Sequence, residues 1–171
     1  MSPAITSRYW GVPPVSDGRY TIGHQRIAEI TNEIRPLHAS HFAETETEYL
    51  DAEFDADYVR YTASEEAGQF VLFTVREGST LVGYLQYYVF RDMHAQGMYT
   101  AREDAFFLLP EHRGKKLAPR VLDYAEDFLQ KLGCKYVGMS DKSPVGGAVL
   151  SPFLKSRGYR EVAIYLVKEL T

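Results

Sequence analysis

The segment running from Glu103 to Leu132, EDAFFLLPEHRGKKLAPRVLDYAEDFLQKL, decides the fold of this 171-residue chain. Glu103–Leu109 reads as a strand ended by Pro110, the middle as a basic loop, and Pro119–Leu132 as an amphipathic helix. Within the helix, Ala118, Val121, Leu122, Ala125, Phe128, Leu129 and Leu132 recur at i, i+3, i+4 and i+7, which makes one apolar face. Pro119 suits a first helical turn, where a missing N–H has no partner to lose, and Gly133 supplies the stop. The first N–H groups of such a helix lack internal acceptors and carry partial positive charge. A phosphate accepts those bonds, and Gly114 lets it approach the backbone closely. Arg113, Lys115, Lys116 and Arg120 gather four cations at this spot. The competing reading is a solvated basic loop before a surface helix.

Upstream, Gln69–Arg76 (QFVLFTVR) and Thr80–Phe90 (TLVGYLQYYVF) flank Glu77-Gly78-Ser79 and predict a β-hairpin. Arg91–Arg102 is polar and reads as a loop. Apolar residues from Gln25 to about Phe42 have helical spacing, with a kink expected at Pro36. A second helix is expected over Ala56–Ala67, capped by Asp55 or Asp57 and stopped by Gly68. Residues 1–20, with Pro3, Gly11, Pro13, Pro14 and Gly18, read as an irregular N-terminal arm, and 21–171 as the folded domain. Downstream, Lys135–Ser140 reads as a short strand, Ala148–Arg157 contains a helix with Pro152 near its start, and Tyr159–Leu170 alternates like a terminal strand. Strands mixed with helices in this order predict an α/β sheet with helices on its faces.

Composition narrows the function. With 45% hydrophobic residues and a net charge of -4, the chain carries enough apolar material for a core and no global basic field. Nucleic acid is therefore disfavoured as a partner. Met1–Trp10 lacks a charged segment followed by an apolar core, and no stretch approaches the roughly 18 apolar residues of a membrane span. One cysteine, Cys134, precludes an internal disulfide and suits a reducing compartment, so a soluble cytoplasmic protein with no membrane partner is expected. His38 and His41 lie three apart on the first helix, but no third ligand or HExxH pattern accompanies them, so no metal is expected.

The junction resembles motif A of the GNAT acetyltransferases, a strand, a loop and Arg/Gln-x-x-Gly-x-Gly/Ala at a helix start. Arg113-Gly114-Lys115-Lys116-Leu117-Ala118 matches at Arg113 and Ala118 and departs at Lys116, where the family most often has glycine. Leu81-Val82-Gly83-Tyr84 looks like the family's third strand, and Phe153–Tyr159 (FLKSRGY) like its C-terminal helix-to-strand passage. More narrowly, Tyr58-Val59-Arg60-Tyr61, Glu66-Ala67-Gly68, the hairpin and Arg102–Leu108 resemble acetyltransferase-like proteins common in bacteriophage and prophage genomes. The resemblance implies a single-domain α/β GNAT fold, with a mixed, mostly antiparallel central sheet and helices on both faces. It implies acetyl-coenzyme A as co-substrate, with the pyrophosphate on the amides of Arg113, Gly114, Lys115, Lys116, Leu117 and Ala118. The pantetheine chain would pair with the backbone of Phe107, Leu108 and Leu109.

Acetyl transfer to an amine needs a proton acceptor and a path for the departing thiolate. The family often uses a carboxylate on the same strand, which here means Asp104 or Glu103; only one of two neighbours can face the cleft. Asp104, which shares its face with Phe106 and Leu108, is the choice. The family's usual acid, a tyrosine four residues before the glycine of the last helix, falls on Leu154. Tyr87, Tyr88, Tyr124, Ser140 or Ser143 are the substitutes available. The acidic run Glu44–Glu48, with Asp51, Glu53, Asp55 and Asp57, would steer a cationic acceptor, a small molecule or a protein, unless it is simply a solvated face. Two rival readings are a modification enzyme for a nucleobase or phage pathway intermediate, and a non-catalytic coenzyme-binding protein. A homodimer is compatible, since dimers are the commonest assembly.

Overall fold

A computed structural model of the chain describes residues 12–47, 52–141, 150–163 and 168. The chain divides into two units, residues 1–140 and 141–171. The first contains β1 (Val15–Ser16), β2 (Tyr20–His24), α1 (Ile27–Thr45), α2 (Tyr58–Glu66), β3 (Phe70–Glu77), β4 (Thr80–Arg91), β5 (Tyr99–Leu108), α3 (Leu117–Lys131) and β6 (Cys134–Gly138). The second contains α4 (Leu150–Ser156), whose Ser151 amide donates to Asp141 Oδ2 at 2.8 Å.

The strands lie in the order β1-β2-β3-β4-β5-β6, each pair antiparallel except β5 with β6. The central strands read as continuous apolar runs because both faces of the sheet are covered. On one face, Phe70, Leu72, Tyr84 and Phe107 meet Ile27, Ile30, Ile34 and Leu37 of α1. On the other, Phe73 meets Tyr124 and Phe128 of α3, ring centres 5.8 and 5.2 Å apart. Each large side chain buried this way contributes roughly 1.5–3 kcal/mol. The mixed sheet with helices on both faces is the arrangement the sequence predicted. No helix among the described residues is long and apolar enough to cross a membrane.

Several boundaries differ from the sequence reading. The segment read as an irregular arm contains β1, paired with Thr21 and Ile22 of β2; residues 1–11 lie outside the described residues. The departure from helical angles in α1 falls at Ile30 (φ -123°, ψ 15°), while Pro36 sits within the helix. α2 starts at Tyr58, with the Asp57 side chain accepting from the Arg60 amide at 2.9 Å. β5 begins at Tyr99 rather than Glu103, because Tyr99–Arg102 pairs with β4 on one side and β6 on the other. α3 starts at Leu117, two residues before Pro119, which stays in the first turn. Residues 159–163 form no strand, and most of the remaining C-terminal stretch lies outside the described residues.

Candidate active site

A β-bulge sets the orientation of Asp104. Gln86 stands opposite Ala105 and Tyr87 opposite Glu103, so Asp104 is the extra residue of β5. The bulge breaks strict alternation and turns Asp104 to the side of Ala105 and Phe107, which pack into the α1 cluster, rather than to that of Phe106 and Leu108. Asp104 Oδ2 accepts from Gln86 Nε2 at 2.6 Å and from the Tyr61 hydroxyl at 3.2 Å. Among the described residues no hydrogen bond reaches Oδ1. Glu103 is placed differently: its Oε2 accepts from the Ser140 amide at 3.1 Å and from the Ser140 hydroxyl at 2.5 Å. The structure thus separates the two carboxylates, with Asp104 beside α1 and α2 and Glu103 tying β5 to Ser140, two residues beyond β6.

Behind Asp104 runs a buried polar chain. His38, 6% exposed, sets Nε2 at 3.2 Å from Gln86 Oε1 and Nδ1 at 3.0 Å from the Tyr58 hydroxyl. Burial pushes the His38 imidazole down to about 4, so the ring is neutral at physiological pH. One tautomer satisfies all partners: Nε2–H donates to Gln86, and Nδ1 accepts from Tyr58. Burial, helped by the nearby Asp104 carboxylate, raises the Tyr61 phenol well above its usual range and keeps it a donor. Beside this chain, His41 Nδ1 lies 2.7 Å from the Tyr84 hydroxyl, and its ring stacks on Phe107 at 5.1 Å.

The loop between β5 and α3 is fixed by its own charges. Pro110–His112 form a single 3-10 turn, and buried His112 places Nδ1 3.1 Å from the Tyr20 hydroxyl. Arg113 donates through Nε to the Leu108 carbonyl at 2.9 Å and through Nη2 to Glu44 Oε2 at 2.7 Å. Arg120 pairs with Asp17. Of the four cations expected to gather here, two are therefore engaged by carboxylates, while Lys115 and Lys116 make no ion pair among the described residues. Lys116 has φ +57° and ψ 23°, the left-handed region, and α3 has no side-chain cap at its N-terminus. That conformation explains why glycine suits this position and makes Lys116 a strained exception.

The β5–β6 ladder ends at Arg102 and Gly138. Past that point, among the described residues, no strand pairs with the β6 side of β5 within residues 103–108, which leaves it an open edge there. The Leu109 amide donates to the Val82 carbonyl at 3.0 Å, and the Phe107 carbonyl faces Gly83. Backbone groups alternate in direction along an antiparallel strand, so Phe107 and Leu109 are spent on β4, while Phe106 and Leu108 present theirs to the open side. Of the three backbone positions expected to hold the pantetheine, only Leu108 faces the edge. Leu117 is buried under the loop, and Ala118 is half-buried in the first turn of α3.

Other candidates lie elsewhere. The Tyr87 hydroxyl donates to Met139 Sδ, and the Tyr124 hydroxyl to the Val12 carbonyl, both away from the Asp104 cluster. Ser140 is held by Glu103, Tyr88 is half-buried on the Asp104 side, and Ser143 is outside the described residues. Within the acidic run, Glu44 pairs with Arg113 and Asp57 caps α2, while residues 48–51 lie outside the described residues. No group of three or more His, Cys, Asp or Glu that could hold a metal occurs among the described residues. Sequence reasoning missed Gln86, Tyr61 and the role of His38; the only available signal was polar residues in an otherwise apolar strand and helix face.

A model of the GNAT acetyltransferase family matches residues 27–159. None of the curated proteins compared matches the chain. Among solved structures, an aminoglycoside acetyltransferase from an uncultured soil metagenomic sample is 12% identical with a TM-score of 0.70, over 89% of this chain and 99% of that one. A ribosomal-protein-alanine N-acetyltransferase from Brucella melitensis biovar Abortus is 16% identical with a TM-score of 0.68, over 89% and 99% of the two chains. A glucosamine-6-phosphate N-acetyltransferase from Arabidopsis thaliana is 13% identical with a TM-score of 0.65, again over 89% and 99%. At these identities the structures speak for the fold, and the family match speaks for the chemistry. The chain is a member of the GNAT acetyltransferase family, an acyltransferase with that family's α/β fold.

Proposed function

We propose that the protein transfers the acetyl group of acetyl-coenzyme A directly to an amine, on a small molecule or a protein, within a ternary complex. The observation that carries this reading is the end of the β5–β6 ladder at Arg102 and Gly138, in a strand that leads into an uncapped helix N-terminus. An open strand edge suits the extended, amide-bearing pantetheine chain, and Phe106 and Leu108 supply the backbone groups. Arg113 occupies the Leu108 carbonyl through one bond, and a carbonyl oxygen has a second lone pair to offer. The amides from Gly114 to Ala118 suit a pyrophosphate, with Lys115 and Lys116 adding charge.

In the transfer step the amine nitrogen attacks the thioester carbonyl carbon, the new C–N bond forms, and the C–S bond breaks. The proton lost by the amine passes to Asp104 Oδ1, the oxygen that carries no bond among the described residues. The sulfur leaves with the bonding pair and takes its proton from solvent. Leu154 stands where the family has its usual acid, but a thiol with a pKa of about 8.5 is a fair leaving group without one.

The reading is tested by calorimetric titration with acetyl-coenzyme A and by thiol release across a panel of amines. Binding, with thiol release that depends on an amine, is expected. Absence of binding at millimolar coenzyme would overturn it.

A further inference from the structure

We infer that Gln86 and His38 are positioning residues for the transfer, holding Asp104 so that only Oδ1 is presented to the acceptor. The inference rests on the reading of Asp104 as proton acceptor and adds the device that aims it. A carboxylate on a bulged strand has no neighbour in register to fix its rotation, and its two oxygens are interchangeable unless one is held. Gln86, 2% exposed, holds one: its amide nitrogen lies 2.6 Å from Asp104 Oδ2, the shortest bond in the cluster. The same nitrogen lies 3.3 Å from the Tyr61 hydroxyl, which itself donates to Oδ2.

A glutamine amide can flip, and flipping would set its carbonyl oxygen against the carboxylate. In its Nε2–H tautomer His38 opposes this. Its Nε2–H needs an acceptor in a buried site, and Gln86 Oε1 at 3.2 Å is that acceptor. The Asp104 carboxylate takes the Gln86 amide nitrogen and leaves Oε1 to His38, so Nε2 carries the proton and Nδ1 accepts from the Tyr58 hydroxyl. The order Tyr58, His38, Gln86, Asp104 is thus directional, with every donor pointing toward the carboxylate. His38 and Gln86 touch no reacting atom.

Steady-state kinetics, acetyl-coenzyme A affinity by calorimetry and thermal midpoints on six variants test the inference, using the best amine of the panel. Gln86→Met keeps the length and loses the donor, and Gln86→Leu serves the same end if the methionine variant does not fold. Either should lower kcat about tenfold or more, with coenzyme affinity within about twofold of the parent. His38→Leu should lower kcat similarly, His38→Gln should restore most of it by returning a donor to Gln86, and Gln86→Met with His38→Leu should be no worse than Gln86→Met alone. Unchanged kcat with a lowered thermal midpoint, additive losses, or a His38→Gln variant no better than His38→Leu would overturn the inference. A fully active Asp104→Asn enzyme would instead remove the reading beneath it.

Discussion

Replacing Lys116 by glycine should make the protein more stable and its coenzyme binding weaker, two effects of opposite sense from one residue. Lys116 sits at φ +57°, ψ 23°, immediately before α3. An L-residue pays roughly 1–2 kcal/mol for that conformation. Glycine avoids the strain but loses about 0.5–1 kcal/mol more backbone entropy on folding. Taken at the centres of these ranges the net gain is about 0.75 kcal/mol, or roughly 1.5–3 °C in the thermal midpoint of a chain this size. The lost charge matters only when phosphates are present; an exposed ion pair is worth about 0.3–1 kcal/mol, so affinity for acetyl-coenzyme A should fall roughly two- to fivefold. Lys116→Ala separates the two effects, since it keeps the strain and loses the charge. Thermal unfolding and calorimetry at low and high salt read both, and the affinity difference should shrink with salt. A glycine variant with a lower midpoint would refute the strain argument, and tighter binding would mean that the lysine crowds the phosphates.

Three further outcomes follow from the packing. A methyl group on Gly83 would collide with Leu108 Cδ2 and come within 2.8 Å of the Phe107 carbonyl oxygen. The leucine tip can move, but the carbonyl belongs to the ladder, so Gly83→Ala should cost about 1–3 kcal/mol in urea unfolding; an unchanged transition would contradict this. Burial lowers His24 and His38 from 6.5 to about 4 in the folded state, with Arg26 adding to the effect at His24. Their contribution is complete above pH 6.5 and is lost as pH falls from there to about 4, by up to about 3 kcal/mol each. Glu65, raised by burial, works in the opposite sense near the lower end of that window. Unfolding free energy should therefore drop between pH 7 and 4.5, and a flat profile would count against the buried imidazoles. Burial pushes the Cys134 thiol up to about 11, so it should react with a thiol reagent far more slowly than glutathione at neutral pH, and a matching rate would refute that placement.

What could be read from the sequence was what depends on neighbours along the chain. α3 shows its buried face in Val121, Leu122, Ala125, Phe128 and Leu129, because one side of a helix repeats regularly. The hairpin of β3 and β4 was legible for the same reason. β2, with only Tyr20–His24, is too short to show a period and holds its place by pairing with β3, 49 to 57 positions away. The site was half legible. Asp104 was named, but the bulge that aims it is a property of the β4–β5 register. The cations around Gly114 were named, but two find partners, Glu44 and Asp17, that lie 69 and 103 positions from them. His38 and Gln86, 48 positions apart, look like ordinary polar residues until the sheet brings them together.

The seat of the coenzyme is tested most directly by following backbone amide resonances while acetyl-coenzyme A is added. The account predicts large shifts at Gly114, Lys115, Lys116, Leu117 and Ala118 and at the open-edge amides of Phe106 and Leu108. The Leu109 amide, already bonded to Val82, should move little. Saturable binding that leaves the 114–118 amides and the β5 edge unmoved would contradict the account.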